Sequence, residues 1–187
     1  MVLLLDADGV VLKKHRYFSE RYAEERGVAI AEITPFFKNE FVRCQAGQAD
    51  LKEVLVPYLP KWKWDGTADE FLDYWFTHDT ELDGAVLTEV ARLRTAGTKC
   101  YLASGQEKYR AAYVTKLIDG RLDGFFYTSD LKMLKSDPTF FSEVLQRLGV
   151  DPHDVVYFDN SEPYIRAAAS AGIDARLYSS IDQICTL

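Results

Sequence analysis

The sequence predicts an α/β protein: a parallel sheet wound on both faces by helices, with a small all-helical insertion after its first strand. Three observations lead there. The chain opens on four apolar residues, VLLL at Val2–Leu5, that run directly into Asp6, the pattern of a short strand buried on both faces. From residue 84 onward, strand-like and helix-like segments alternate. Between these parts, residues 14–83 are rich in Glu, Lys and aromatics, read as helical and contain no convincing strand.

Each element has its own signal. The insertion contains four helical pieces, YFSERYAEERG, EITPFFKNEFVRC, DLKEVLVPYL and DEFLDYWFTH, punctuated by Gly27, Pro35, Gly47, Pro57, Pro60 and Gly66. GAVLTEVARLRTAG follows as a helix with Val86, Val90, Leu93 and Ala96 on one face and Gly97 as its stop. TKCYLAS is a strand, EKYRAAYVTKLI a helix and GFFYT a short strand. TFFSEVLQRLG is a helix with Phe141, Val144, Leu145 and Leu148 inward, ended by Gly149. DVVYF is a strand, PYIRAAASAG a helix with Pro163 in its first turn, and DARLYS the last strand. The simplest division makes residues 1–13 and 84–187 one α/β core and residues 14–83 a helical cap.

Composition narrows the function. The 187 residues carry a net charge of −7, which argues against nucleic acid or an anionic membrane as partner. No apolar stretch approaches the roughly 20 residues a membrane helix needs, and the first apolar run ends too early for a signal peptide. Cys44, Cys100 and Cys185 are odd in number, widely spaced and form no CxxC, so a reducing cytoplasm fits better than a disulfide framework or a zinc site.

Open parallel sheets bind ligands at the carboxyl ends of their strands. Asp6 and Asp8 follow the first strand, Ser104 the second, Lys135 the loop after the third, and Asp159-Asn160-Ser161-Glu162 lies at the end of DVVYF. That set suits a phosphate and a divalent metal. Asp6 would attack phosphorus, forming an aspartyl-phosphate. Asp8 would protonate the leaving oxygen and later activate water. Gly9 would let the backbone turn tightly beside the phosphate. Ser104 would donate to a phosphoryl oxygen, and Lys135 would neutralise the charge of nucleophile and phosphate. Mg²⁺ takes oxygen ligands, here Asp6, the Asp8 carbonyl and a group after DVVYF.

These residues resemble the four motifs of the haloacid dehalogenase (HAD) superfamily. DADGV resembles the DxDG(V/T) first motif, Ser104 the hydroxyl of the second, Lys135 in LKSDPTFF the lysine of the third, and DNSEPYIRAA the fourth. YLASGQEKYRAAYV is similar to the sugar-phosphatase and epoxide-hydrolase-like branch. The resemblance implies a Rossmann-like three-layer core with a helical cap of the C1 type. It also implies Mg²⁺ as cofactor, a small phosphate ester such as a sugar phosphate as substrate, phosphate binding at Gly9, Ser104, Gly105 and Lys135, and a monomer or homodimer. Three positions depart from the pattern: Gly105 stands where Asn is usual, Ser136 where Pro is usual, and Asn160 where a second acid is usual. The resemblance thus makes Asn160 a metal ligand whose neutral oxygen implies weaker Mg²⁺ binding, with Asp159 or Glu162 as the acids that would compensate, directly or through water. On the same scaffold the alternatives are an inactive binding protein, a dehalogenase or a phosphomutase, and Asp8 favours phosphate chemistry over dehalogenation.

Other residues have plainer readings. His15, Arg16 and Tyr17 fall at the core–cap junction; Arg43, Gln45, Trp75 and His78 are cap positions within reach of a leaving group; each is first read as surface or packing. His153 reads as a loop residue, and Phe71, Tyr74 and Trp75 as the core of the cap.

Overall fold

In the computed structural model, which describes residues 1–13 and 16–187, strand β1 (Val2–Leu5) lies at the centre of a five-stranded sheet. The order is β3-β2-β1-β4-β5, with β2 at Lys99–Ser104, β3 at Gly124–Tyr127, β4 at Val155–Asp159 and β5 at Asp174–Leu177. Every pairing is parallel. Leu5 pairs with Leu102 on one side and Phe158 on the other, so Asp6, Ser104 and Asp159 all emerge at the same edge. The first strand is central because the chain winds outward from it in both directions, which opens a crevice at its carboxyl end.

Alternating side chains fill the two faces. Leu3 and Leu5 point to one layer, with Val86, Val90 and Leu93 of α6 (Gly84–Thr95), Val114 and Ile118 of α7 (Lys108–Ile118) and Ile184. Val2 and Leu4 point to the other, with Phe140, Phe141 and Val144 of α9 (Pro138–Leu148) and Ala168 of α10 (Glu162–Ser170). Short helices α8 (Thr128–Leu131) and α11 (Asp182–Cys185), absent from the sequence reading, occupy turns after β3 and β5.

Among the described residues the segment between β1 and α6 forms five helices, not four: α1 (Phe18–Arg26), α2 (Ile30–Lys38), α3 (Glu40–Gln45), α4 (Leu51–Leu55) and α5 (Ala68–Asp79). The extra break falls at Asn39, whose φ of −117° and ψ of −76° lie outside helical geometry. Periodicity continues across this break, so sequence alone does not show it. These helices surround an aromatic core of their own, including Phe18, Tyr22, Phe36, Trp62, Phe71 and Trp75. Ala96, expected inward, is exposed because α6 ends at Thr95 and Ala96 caps it.

The chain leaves and re-enters the α/β part through two adjacent crossings. Leu12 and Leu82 form an antiparallel bridge, flanked by Lys13 N–H to Glu81 O at 2.8 Å and Asp83 N–H to Val11 O at 2.8 Å. On the other side, Asp50 accepts from Tyr109 Oη at 2.9 Å and caps α4 through Lys52 N–H at 2.9 Å. Among the described residues no helix is long and apolar enough to cross a membrane.

Gly47 sits at this second junction with φ +66°, and a Cβ there would lie 2.6 Å from Ser129 O. Both the backbone conformation and the close approach require glycine. Gly47→Ala should lower stability by about 2 kcal/mol, read as a lower urea midpoint. An unchanged midpoint would contradict the close packing of this junction.

Candidate active site

Lys135 is the centre of the site. It follows α8 and precedes Asp137, which caps α9 by accepting from Thr139 N–H at 2.9 Å. That cap fixes where the loop ends and turns the lysine inward. Its side chain is 2% exposed, with Nζ 2.5 Å from Asp6 Oδ1 and 2.7 Å from Asp159 Oδ2. Burial alone would lower the ammonium, but the two carboxylates outweigh it and hold Lys135 charged, above its ordinary value. The Tyr164 ring lies 4.4 Å from the same Nζ.

Asp6 continues β1, its N–H bonded to Phe158 O at 2.9 Å. Burial pushes its carboxyl up, Lys135 opposes this, and Asp159 adds to the rise, leaving it at about 6. Asp159 is wholly buried and turned away from the cavity. It accepts from Lys135, from Tyr157 Oη and from Ser161 N–H at 2.8 Å. Its oxygens are thus occupied by protein donors, and it anchors Lys135 rather than facing a ligand.

Asp8 lies two residues on, just before a turn that Gly9 (φ +86°) closes through its N–H to Leu12 O at 2.8 Å. Its side chain is half exposed and faces the cavity. Arg110, from the first turn of α7, grips it in a fork: Nη1 to Oδ2 at 2.7 Å and Nη2 to Oδ1 at 2.8 Å. Gln106 Nε2 adds a third bond at 2.7 Å and reaches Ser104 Oγ at 3.1 Å. The surrounding cavity walls strip water from the Asp8 carboxyl, which would raise it, but the Arg110 guanidinium outweighs this and holds it below the usual range. Arg110 Nη2 also donates to Asp79 O at 3.2 Å, at the end of α5. Glu107 caps α7 by accepting from Tyr109 and Arg110 N–H groups, which sets the helix start that aims Arg110.

A cavity of about 560 Å³ joins these groups. Asp6, Asp8, Gly9, Ser104, Gly105, Lys135 and Asn160 all line it; Asp159 does not. Of the candidates in the helical segment, Arg16, Tyr17, Gln45 and Trp75 line it too, and Gln45 Nε2 bonds Gly105 O at 2.7 Å. His15 lies outside the described residues. Arg43 pairs with Glu40 at 2.9 Å, His78 Nδ1 meets Tyr74 O at 2.7 Å, Glu162 pairs with Arg166 at 3.4 Å and His153 is exposed; none of these lines the cavity. Phe71 is buried in the aromatic core, as read from the sequence, whereas Trp75 belongs to that core and to the cavity wall.

Arg110 and Gln106 were missed by the sequence reading. A signal was available: Arg110 shares the buried face of α7 with Val114 and Ile118, at i+4 and i+8. A charge on an apolar stripe needs a buried partner.

Asp6, Asp8 and Asn160, which line the cavity, all carry oxygen donors. The Asn160 side chain makes no hydrogen bond among the described residues. Among those residues no three His, Cys, Asp or Glu side chains form a metal cage. Mg²⁺ needs none, since it is usually held by one or two carboxylates, substrate phosphate and water. The donor set fits that ion.

A family model for haloacid dehalogenase-like hydrolases matches residues 1–172. Solved structures share the fold. A HAD family enzyme from Bacteroides thetaiotaomicron superposes with a TM-score of 0.80 at 18% identity, covering 95% of this chain and 93% of that one, and its wild type has been crystallised with magnesium and inorganic phosphate. A HAD-like family hydrolase from Porphyromonas gingivalis gives 0.80 at 18% identity over 98% and 95% of the two chains. L-2-haloacid dehalogenase from Xanthobacter autotrophicus, solved with chloropropionic acid covalently bound, gives 0.65 at 16% identity over 94% and 76%. The chain belongs to the haloacid dehalogenase-like hydrolase family.

Proposed function

We propose that this hydrolase cleaves a small phosphate monoester, with Asp6 as nucleophile and Asp8 as acid and base. The observation that carries the reading is the shared cavity. A carboxylate at the end of the central strand, 2.5 Å from a buried ammonium, faces the same space as a second carboxylate two residues on. Magnesium and phosphate in crystals of the Bacteroides enzyme support the same chemistry. Helices α1–α5, residues 14–83, act in this reading as a C1-type cap over the core formed by residues 1–13 and 84–187.

An Asp6 oxygen attacks phosphorus, and the bond from phosphorus to the ester oxygen breaks. Lys135 holds Asp6 oriented and offsets the negative charge that builds up. Ser104, Gly105 and the turn at Gly9, which line the same cavity, would give the phosphoryl oxygens donors and room. Asp8 is ionised in the resting arrangement by its fork with Arg110. It receives the proton carried by a monoester monoanion and delivers it to the departing alkoxide. Ionised again, it takes a proton from water as that water attacks the phosphoryl group and the bond from phosphorus to Asp6 breaks; the departing phosphate carries that proton away, leaving Asp6 and Asp8 both ionised. Asp6, the Asp8 carbonyl and Asn160 would hold Mg²⁺, which when bound supplies positive charge to the phosphate. Asp159, occupied by Lys135, Tyr157 and Ser161, acts through Lys135.

A dehalogenase needs no proton donor for its leaving halide, so Asp8 and its fork with Arg110 favour phosphate. Phosphate release from a generic aryl phosphate, dependent on Mg²⁺, tests the reading against halide release from a 2-haloacid. Asp6→Asn should reduce phosphate release by at least about 10³-fold with circular dichroism unchanged; retained turnover would overturn the nucleophile assignment. Asn160→Asp adds a charged ligand and should lower the half-saturating Mg²⁺ concentration by about tenfold, seen also by calorimetry. No change would remove Asn160 from the metal site.

A further inference from the structure

The cavity has two unlike walls. The core side is charged, with Asp6, Asp8 and Lys135 at its base. The side formed by the helical segment is aromatic and is organised around Trp75. Phe18 stacks on Trp75 at 5.0 Å with an interplanar angle of 21°. Phe37 meets it edge-on at 5.2 Å, and Phe41 lies tilted at 5.3 Å. All four line the cavity, and Phe37 and Phe41 remain partly exposed.

Among the described residues the polar groups lining that side are Lys13, Arg16, Tyr17, Ser19, Gln45 and Asp79, and apart from the Tyr17 and Ser19 hydroxyls they are engaged. Trp75 Nε1 bonds Asp79 Oδ2 at 3.2 Å. Gln45 Nε2 bonds Gly105 O at 2.7 Å. Arg16 pairs with Glu24 and Lys13 with Glu81 near the mouth, where all four side chains are solvated. A polyhydroxylated leaving group pressed against Phe37 and Phe41 would lose water from its hydroxyls and find no hydrogen-bond partner on those rings. A flat apolar ring has no such loss, and its faces and edges match the edge-on and stacked geometry already present.

We infer that the alcohol released carries an aromatic ring: the substrate is an aryl or arylmethyl phosphate, not the sugar phosphate that the sequence suggests. This inference rests on the phosphatase reading for its phosphate end, while the aromatic wall stands on its own contacts. The ring lies against Phe37, Phe41 and Trp75, and the ester oxygen faces Asp8.

Benzyl phosphate and glucose 6-phosphate compare recognition fairly, because both release primary alcohols of similar leaving ability. With Mg²⁺ and the unmodified protein, kcat/KM for benzyl phosphate should exceed that for glucose 6-phosphate by about 30-fold or more. Phe41→Ala should cut that ratio about tenfold. Binding is read separately with two inert probes. Calorimetry should give benzylphosphonate a Kd at least about tenfold below that of methylphosphonate. Tighter benzylphosphonate binding with no phosphate released from any ester would sink the phosphatase reading and leave the aromatic recognition standing. Equal affinity for the two phosphonates, or a kcat/KM for glucose 6-phosphate that matches benzyl phosphate, would overturn the inference, whether or not the Phe41→Ala protein folds.

Discussion

One buried lysine organises the edge of the sheet where the candidate site lies. Lys135 bridges Asp6 and Asp159 from a side chain that is 2% exposed. Removing one partner from a buried ion pair typically costs about 3–5 kcal/mol, because the remaining charge is left without compensation. Here one ammonium compensates two carboxylates, so everything around it must complete the balance. Tyr157 and the Ser161 N–H satisfy the rest of Asp159, which frees Lys135 to hold Asp6. Arg110 does the same for Asp8 and reaches Asp79. Four carboxylates, Asp6, Asp8, Asp79 and Asp159, are thus served by two cations, Lys135 and Arg110. The residual negative charge explains why the proposed phosphate needs a divalent cation to enter, and why the neutral Asn160 matters so much.

The positions of the charged residues were largely legible because topology constrains them. A buried parallel strand must end somewhere, and residues just past each end share one edge of the sheet. Asp6 and Ser104 follow from that rule with no knowledge of side-chain contacts, whereas Lys135, which lies beyond α8, is legible only through its place before Ser136-Asp137-Pro138. The direction of a side chain does not follow from it. Asp159 and Asn160 are neighbours, yet one turns into the protein to anchor Lys135 while the other faces the cavity. Strand alternation alone could have separated them; their chemistry could not. Arg110 escaped notice because it meets Asp8 across 102 positions of sequence. The break at Asn39 escaped because a change of backbone angles leaves the apolar periodicity intact.

The helical segment brings chemistry of the opposite kind to the same space. Its aromatic core does not end at the boundary of the segment: Phe18, Phe37, Phe41 and Trp75 belong both to its packing and to the cavity wall. Trp75 therefore had a dual identity that a stripe of aromatics in a sequence cannot express. Asp79, bonded to Trp75 and to Arg110, ties that wall to the group proposed to move protons. An apolar wall over a charged base also lowers the local dielectric, which strengthens Lys135 and Arg110 toward a bound anion.

The central claim is covalent: phosphorus passes through an oxygen of Asp6. Rapid mixing of the Mg²⁺-loaded protein with an aryl phosphate, acid quench and peptide mass spectrometry tests it directly. The account predicts a phosphoryl group on the peptide that begins at Met1, lost on replacing Asp6 with Asn. Full turnover in which that peptide never carries phosphate, or carries it equally in the Asp6→Asn protein, would contradict it.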